Sequence, residues 1–144
     1  MVKETIGIAT DHGGFVLKQV VMEEIVASGY RVLDLGTDGE DPVDYPDFAE
    51  KLVTAIGDGK THRGILLCGT GVGVSIAANR HKGIRAAVCY DEETAALARQ
   101  HNDANVLCLG GRKINGELAR KMVILFLDTK FEGGRHARRV RKLD

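Results

Sequence analysis

The chain has 144 residues, and its 20 Lys plus Arg balance 20 Asp plus Glu, so no global field argues for a nucleic-acid or membrane partner. Hydrophobic residues at 44% and charged residues at 28% are the make-up of one folded globular domain, residues 1–144, large enough to bury a core. Met1 is followed by no apolar h-region and no run reaches membrane-span length, which reads as a cytoplasmic protein.

In chain order, short apolar runs at Thr5–Ala9, Arg31–Leu35, Gly64–Cys68, Arg85–Cys89 and Asn105–Leu109 alternate with helical patterns. Most of these runs are apolar on both faces, as strands of a parallel sheet covered on both sides should be. Leu17, Val21 and Ile25 form an i, i+4 stripe. Phe48, Leu52 and Ile56 repeat it after Pro46, which suits a first helical position. Leu118, Met122 and Phe126 do so again behind Asn115, a candidate N-cap. The alternation predicts a three-layer α/β/α, Rossmann-like domain on a five-stranded parallel sheet with right-handed crossovers. Residues 134–144 are polar and basic, an arm or a final short helix.

The chemistry concentrates where Gly64–Cys68 turns into the next helix. In Cys68-Gly69-Thr70-Gly71-Val72-Gly73 a thiol ends the strand, and alternate glycines let consecutive amides face one small anion. The helix dipole behind them favours the same anion and makes Cys68 a candidate thiolate. Asp11-His12-Gly13-Gly14, Asp91 and Gly110-Gly111-Arg112 follow other strands, so all should meet on the carboxyl edge of the sheet, where open α/β folds bind ligands. A dinucleotide fingerprint is disfavoured, because position 74 is Val and the chain is too short for two mononucleotide halves. A small phosphorylated or oxyanionic ligand fits better.

Cys89 and Cys108 lie in strand patterns and read as buried small hydrophobes. Three cysteines without a CxxC pair argue against a disulfide framework and a zinc site. The five histidines show no ligand spacing, so neither a metal nor another cofactor is expected. His101 stands in Arg99-Gln100-His101-Asn102-Asp103, a dense hydrogen-bonding stretch for a helix end. Arg135 and Arg139, four apart, share a helical face and could pinch one phosphate; Arg138 has no assigned role.

Four stretches together closely resemble the ribose-5-phosphate isomerase B family, which also includes galactose-6-phosphate and allose-6-phosphate isomerases. They are Asp11-His12-Gly13-Gly14-Phe15, Cys68 to Gly73 with Ser75-Ile76-Ala77-Ala78-Asn79, Arg99 to Asn105, and Glu132-Gly133-Gly134-Arg135-His136. The resemblance spans essentially the whole chain and implies metal-independent aldose–ketose isomerisation of a sugar phosphate through a cis-enediolate. It assigns Cys68 as the base, the amides of Gly69, Thr70, Gly71, Val72 and Gly73 as the anion hole, and Thr70 to proton transfer between the oxygens. It assigns His101 to opening the furanose with Asp11 assisting, Asn102 and Tyr45 to sugar hydroxyls, and His12, Arg135 and Arg139 to the phosphate. In the branch without the cysteine a glutamate matching Val74 is the base, so this chain groups with the cysteine branch. Family members are homodimers, sometimes tetramers, whose tail arginines reach the neighbouring site. Isomerisation of a six-carbon sugar phosphate, a Cys68–His101 hydrolase and a non-catalytic sugar-phosphate sensor are the competing readings.

Overall fold

The computed structural model describes residues 3–144. Its strands β1 (Thr5–Thr10), β2 (Arg31–Asp34), β3 (Arg63–Cys68), β4 (Ala86–Val88) and β5 (Val106–Gly110) are all parallel, in the order β2-β1-β3-β5-β4. The central strands β1, β3 and β5 are the continuous apolar runs and are almost wholly buried, whereas the edge strands β2 and β4 are only half-buried. That contrast follows from position. Only a central strand is covered on both faces and both edges.

One face of the sheet carries α1 (Phe15–Ala27), α4 (Glu92–Asn102) and α5 (Gly116–Asp128), whose Leu17, Val21, Ile25, Ala95, Met122 and Phe126 share a core with Ile6, Ile65 and Leu107. The other face carries α2 (Tyr45–Gly57) and α3 (Val72–Asn79), packing Phe48, Leu52, Val74 and Ala78 on Leu66 and Cys108. The expected three layers are present. Asn115 caps α5 by accepting the Leu118 amide at 2.8 Å, and Pro46 lies in the first turn of α2. Glycine at position 64 is demanded by close packing, since a Cβ there would lie 2.5 Å from the Leu52 side chain. The C-terminal segment forms a helix, α6 (Arg135–Arg141), which buries His136 and Val140 and packs on α4 of its own chain.

In every strand–helix–strand unit the helix runs antiparallel to the strands. Strand ends and helix starts therefore share the carboxyl edge, while helix ends and strand starts share the amino edge.

Candidate active site

At the carboxyl edge β3 stops at Cys68, paired with Gly110 of β5. The next residues turn sharply because Gly71, the N-cap of α3, sits at φ +82°, and a Cβ there would meet the Leu109 carbonyl carbon at 3.0 Å. Only glycine takes that backbone at that spacing without strain. The turn brings the Gly71 amide to 3.1 Å from Cys68 Sγ, which accepts its hydrogen bond. Neighbours clamp the loop: the Gly111 amide donates to the Cys68 carbonyl (2.8 Å) and the Arg112 amide to that of Gly69 (3.0 Å). The Tyr90 hydroxyl donates to the Thr70 carbonyl at 2.6 Å. Thr70 Oγ1 accepts the Val72 amide at 3.2 Å. Among the described residues, the amides of Gly69, Thr70 and Gly73 have no protein acceptor. They and the N-terminus of α3 supply a rigid ring of donors for a small anion.

The first strand–helix turn lies against this loop, since a Cβ on Gly13 would come within 2.8 Å of the Gly69 nitrogen. Asp11 is buried there and accepts the Gly13 amide at 2.8 Å. His12 Nδ1 accepts the Val43 amide at 3.1 Å, so in the neutral ring Nε2 carries the proton and is a donor. Tyr45 lays its ring over Gly73, 2.7 Å from where a Cβ would sit. The strand-end pattern placed Asp11 and His12 beside the loop, the family resemblance added Tyr45, and the structure brings the three together with it.

Sequence reasoning missed one. Arg112 holds Nη1 3.0 Å from the position of a Gly69 Cβ, a guanidinium over the amide ring. Its signal was the Gly110-Gly111-Arg112 run after a strand, which also reads as an ordinary turn.

His101 and Asn102 are elsewhere. They end α4, and α4 starts at the carboxyl edge, so about 15 Å of helix carries them to the amino edge. The placement is locked by hydrogen bonds from Arg99 to the Ala104 and Thr129 carbonyls, and by the Glu132 amide donating to the Gln100 carbonyl. Much of the hydrogen-bonding density around His101 thus serves to terminate the helix. β1 delivers Asp11 to one edge and α4 delivers His101 to the other, so the two do not meet within one chain.

At the amino edge His101 stacks on His136 of α6, ring centroids 4.3 Å apart and planes 12° from parallel. Glu132 Oε1 lies 4.0 Å from His101 Nε2 and 3.6 Å from His136 Nε2. His136 Nε2 is buried without a hydrogen-bond partner. Burial, then the positive charge of Arg135 and the neighbouring His101, hold the His136 imidazole below its ordinary pKa. A cleft of about 310 Å³ is lined by His101, Asn102, His136, Arg139, Val140 and Leu143. Arg135 opens the same short helix and is exposed. The candidate residues therefore fall into two groups, one on each edge of the sheet.

The other thiols behave as core. Burial, with Asp91 nearby, pushes Cys89 up to about 11, and complete burial pushes Cys108 well above the ordinary thiol range. Val74 is fully buried among apolar side chains, so that position holds no proton acceptor.

Fold and site together define an open α/β protein that presents a thiol and a ring of unspent amides to a small anion. A family model described as Ribose/Galactose Isomerase matches residues 6–143. Ribose-5-phosphate isomerase B of Escherichia coli is 47% identical over 135 residues, covering 94% of this chain and 91% of that protein. The crystal structure of a ribose 5-phosphate isomerase from Thermotoga maritima superposes with a TM-score of 0.94 at 54% identity, covering 97% of both chains. The type B ribose 5-phosphate isomerase of Trypanosoma brucei gives 0.94 at 39% identity, over 99% of this chain and 97% of that one. The chain belongs to the ribose/galactose isomerase family. It is accordingly an isomerase.

Proposed function

We propose that this isomerase interconverts ribose 5-phosphate and ribulose 5-phosphate through a cis-enediolate, at a site assembled from two copies of the chain. The observation that carries the reading is Cys68 Sγ held 3.1 Å from the Gly71 amide, beside amides that have no other acceptor. Moving the carbonyl between C1 and C2 requires taking a proton from carbon and stabilising the oxyanion that forms. Cys68 is the base that carries the proton between C2 and C1. Of the amides of residues 69–73, those of Gly69, Thr70 and Gly73 are free to receive the enediolate charge, and Thr70 passes the hydroxyl proton from one oxygen to the other.

Ribose 5-phosphate is mostly a closed furanose, so an acid–base group must open it first, and His101 has that role. Because α4 carries His101 to the edge opposite Cys68, the histidine comes from a second copy, together with Asn102, Arg135 and Arg139. His12, Tyr45, Asp11 and Arg112 belong to the copy that provides Cys68. The rim of the glycine loop supports a docked partner, for Tyr45, Val72, Ile76 and Tyr90 are all exposed there. Phosphate is held between His12 and the partner's tail arginines, with Arg112 adding a donor fork on the near side.

The test is turnover in deuterated water with EDTA present. Deuterium at C2 of the aldose is expected with wild-type protein and lost in Cys68→Ala, which should retain phosphate affinity because proton transfer is separable from ground-state binding. Undiminished exchange in Cys68→Ala would remove the thiol from the reaction. Substrate binding without exchange in the wild type would make the protein a sensor. Comparison of kcat/KM on ribose 5-phosphate, allose 6-phosphate and galactose 6-phosphate fixes the sugar.

A further inference from the structure

Sequence spacing shows no metal-ligand set, yet the fold builds one. His101, Glu132 and His136 place a ring nitrogen, a carboxylate oxygen and a second ring nitrogen all within 4.8 Å of one another. His101 arrives on α4, Glu132 on the loop before α6, and His136 on α6 itself, one turn after Glu132. His136 is 7% exposed, and its Nε2 is the one buried side-chain polar atom among the described residues with no hydrogen-bond partner. A buried donor or acceptor left unpaired costs free energy, so an atom that stays unpaired on the rim of a polar cluster is aimed at something the protein alone does not supply.

We propose that His101, Glu132 and His136 bind one Zn²⁺-class divalent ion, and that this ion switches the isomerase off by occupying the nitrogen of His101. Two imidazoles and one carboxylate are a borderline-soft set that suits zinc, cobalt or nickel and leaves a fourth position for water. The donors, all within 4.8 Å of one another, must close up on an ion. Tetrahedral zinc with bonds near 2.0–2.1 Å sets donor atoms roughly 3.4 Å apart, while the Glu132 contacts now stand at 3.6 and 4.0 Å. The His101 ring must turn out of its near-parallel stack on His136 for both nitrogens to share one ion. His101 and Glu132 are half-exposed and can turn, while His136 stays anchored in its burial. Arg139, which lines the same cleft, opposes cation entry, so affinity falls at low ionic strength rather than rising. No step of the proposed reaction uses an ion. The site is inhibitory, and its inhibitory consequence, though not its existence, rests on the role given to His101.

Full-length protein stripped with EDTA is titrated with Co²⁺, reading visible absorption for a tetrahedral nitrogen–oxygen set and near-ultraviolet absorption for cobalt–thiolate charge transfer. One ion per chain without thiolate bands is expected, with retention in Cys68→Ala. Glu132→Gln and His136→Gln should each weaken binding by at least the ~10–100-fold that even a group supporting a metal ligand is worth. In turnover assays Zn²⁺ should inhibit the wild type reversibly by EDTA and inhibit Glu132→Gln, a conservative change at a half-exposed side chain, only at correspondingly higher concentration. Unchanged binding in both variants, or thiolate bands that vanish in Cys68→Ala, would overturn the site. Failure of the isomerase reading is separately visible, as absence of turnover in the EDTA-treated wild type.

Discussion

A site split across two chains makes a prediction that no single-chain site can satisfy. Cys68→Ala removes the proposed base from one group and His101→Asn the proposed ring-opening side chain from the other, so each variant alone should be inactive on ribose 5-phosphate. The structure sets the distance at issue: α4 is 11 residues long, so His101 stands about 15 Å from the edge that holds Cys68, far beyond the ~3 Å reach of proton transfer. In a twofold dimer of one Cys68→Ala chain and one His101→Asn chain, one site carries both lesions and the other carries neither. Random pairing makes half the dimers mixed, and half the sites in each are intact, so mixing two inactive proteins should restore about one quarter of wild-type turnover. The variants are co-expressed with different tags, mixed dimers are purified through both, and pairing is confirmed by native mass spectrometry. Purified mixed dimers should then show about half of wild-type activity, with unchanged KM at the intact site. Mixed dimers that are present but inactive would refute the two-chain site, and so would a His101→Asn variant that retains activity by itself.

Further outcomes are set by single residues. Gly71→Ala should cost ~1–2 kcal/mol from the left-handed backbone alone and, by moving the amide that faces Cys68, lower kcat by ~10²–10³. Gly73→Ala meets only the exposed Tyr45 ring, which can swing aside, so KM should rise while stability holds. Equal effects of the two in denaturation and kinetics would contradict this account of the loop. Iodoacetamide at pH 8 should label Cys68 and abolish turnover while sparing Cys89 and Cys108, whose thiols burial keeps protonated; peptide mass spectrometry reads this. Asp91 caps α4 through the Thr94 amide, and that bond holds its carboxylate below the ordinary 3.8. Its stabilisation is therefore full above pH 3.8 and is lost as pH falls through the lower folded value. The melting gap between wild type and Asp91→Ala should close on acidification; a constant gap would assign the cap no ionic component.

What could be read in advance follows from how directly a residue's place depends on its neighbours. The central strands were legible because burial on both faces writes itself as an unbroken apolar run, as in Ile65-Leu66-Leu67-Cys68. The order β2-β1-β3-β5-β4 was not, since it depends on which side each crossover helix packs. Asp11 and the residues from Cys68 to Gly73 were located correctly because a strand end has one address, the carboxyl edge. His101 was joined to them by the family resemblance and not by its place in the fold. Its address was implicit in the same rule, because the last residues of a crossover helix must return to the edge where the next strand, here β5, begins. The stacking of His136 on His101 had no signal at all. A buried histidine inside Arg135-His136-Ala137-Arg138-Arg139 looks like one more solvated polar residue in a basic run.

The division of the site is a consequence of the topology rather than an accident of two loops. In a parallel sheet, groups at strand ends and groups at the ends of crossover helices lie on opposite edges of the same chain. A reaction that needs an amide-lined helix start for its oxyanion and a histidine from a helix end for its furanose cannot complete itself within one copy. In the proposed site a twofold dimer would resolve this with a single type of interface, because each copy would offer its carboxyl edge to one site and its amino edge to the other. The donated half must then be stiff before it docks, since any slack would be carried across the interface to the reacting atoms. α6 supplies that stiffness. By burying His136 and Val140 against its own chain and stacking His136 on His101, it sets His101 and Arg139, the proposed ring-opening and phosphate-binding residues, on one cleft. The same packing leaves His136 Nε2 unpaired beside Glu132, so the catalytic role proposed for His101 and the metal site proposed for it draw on one and the same stack.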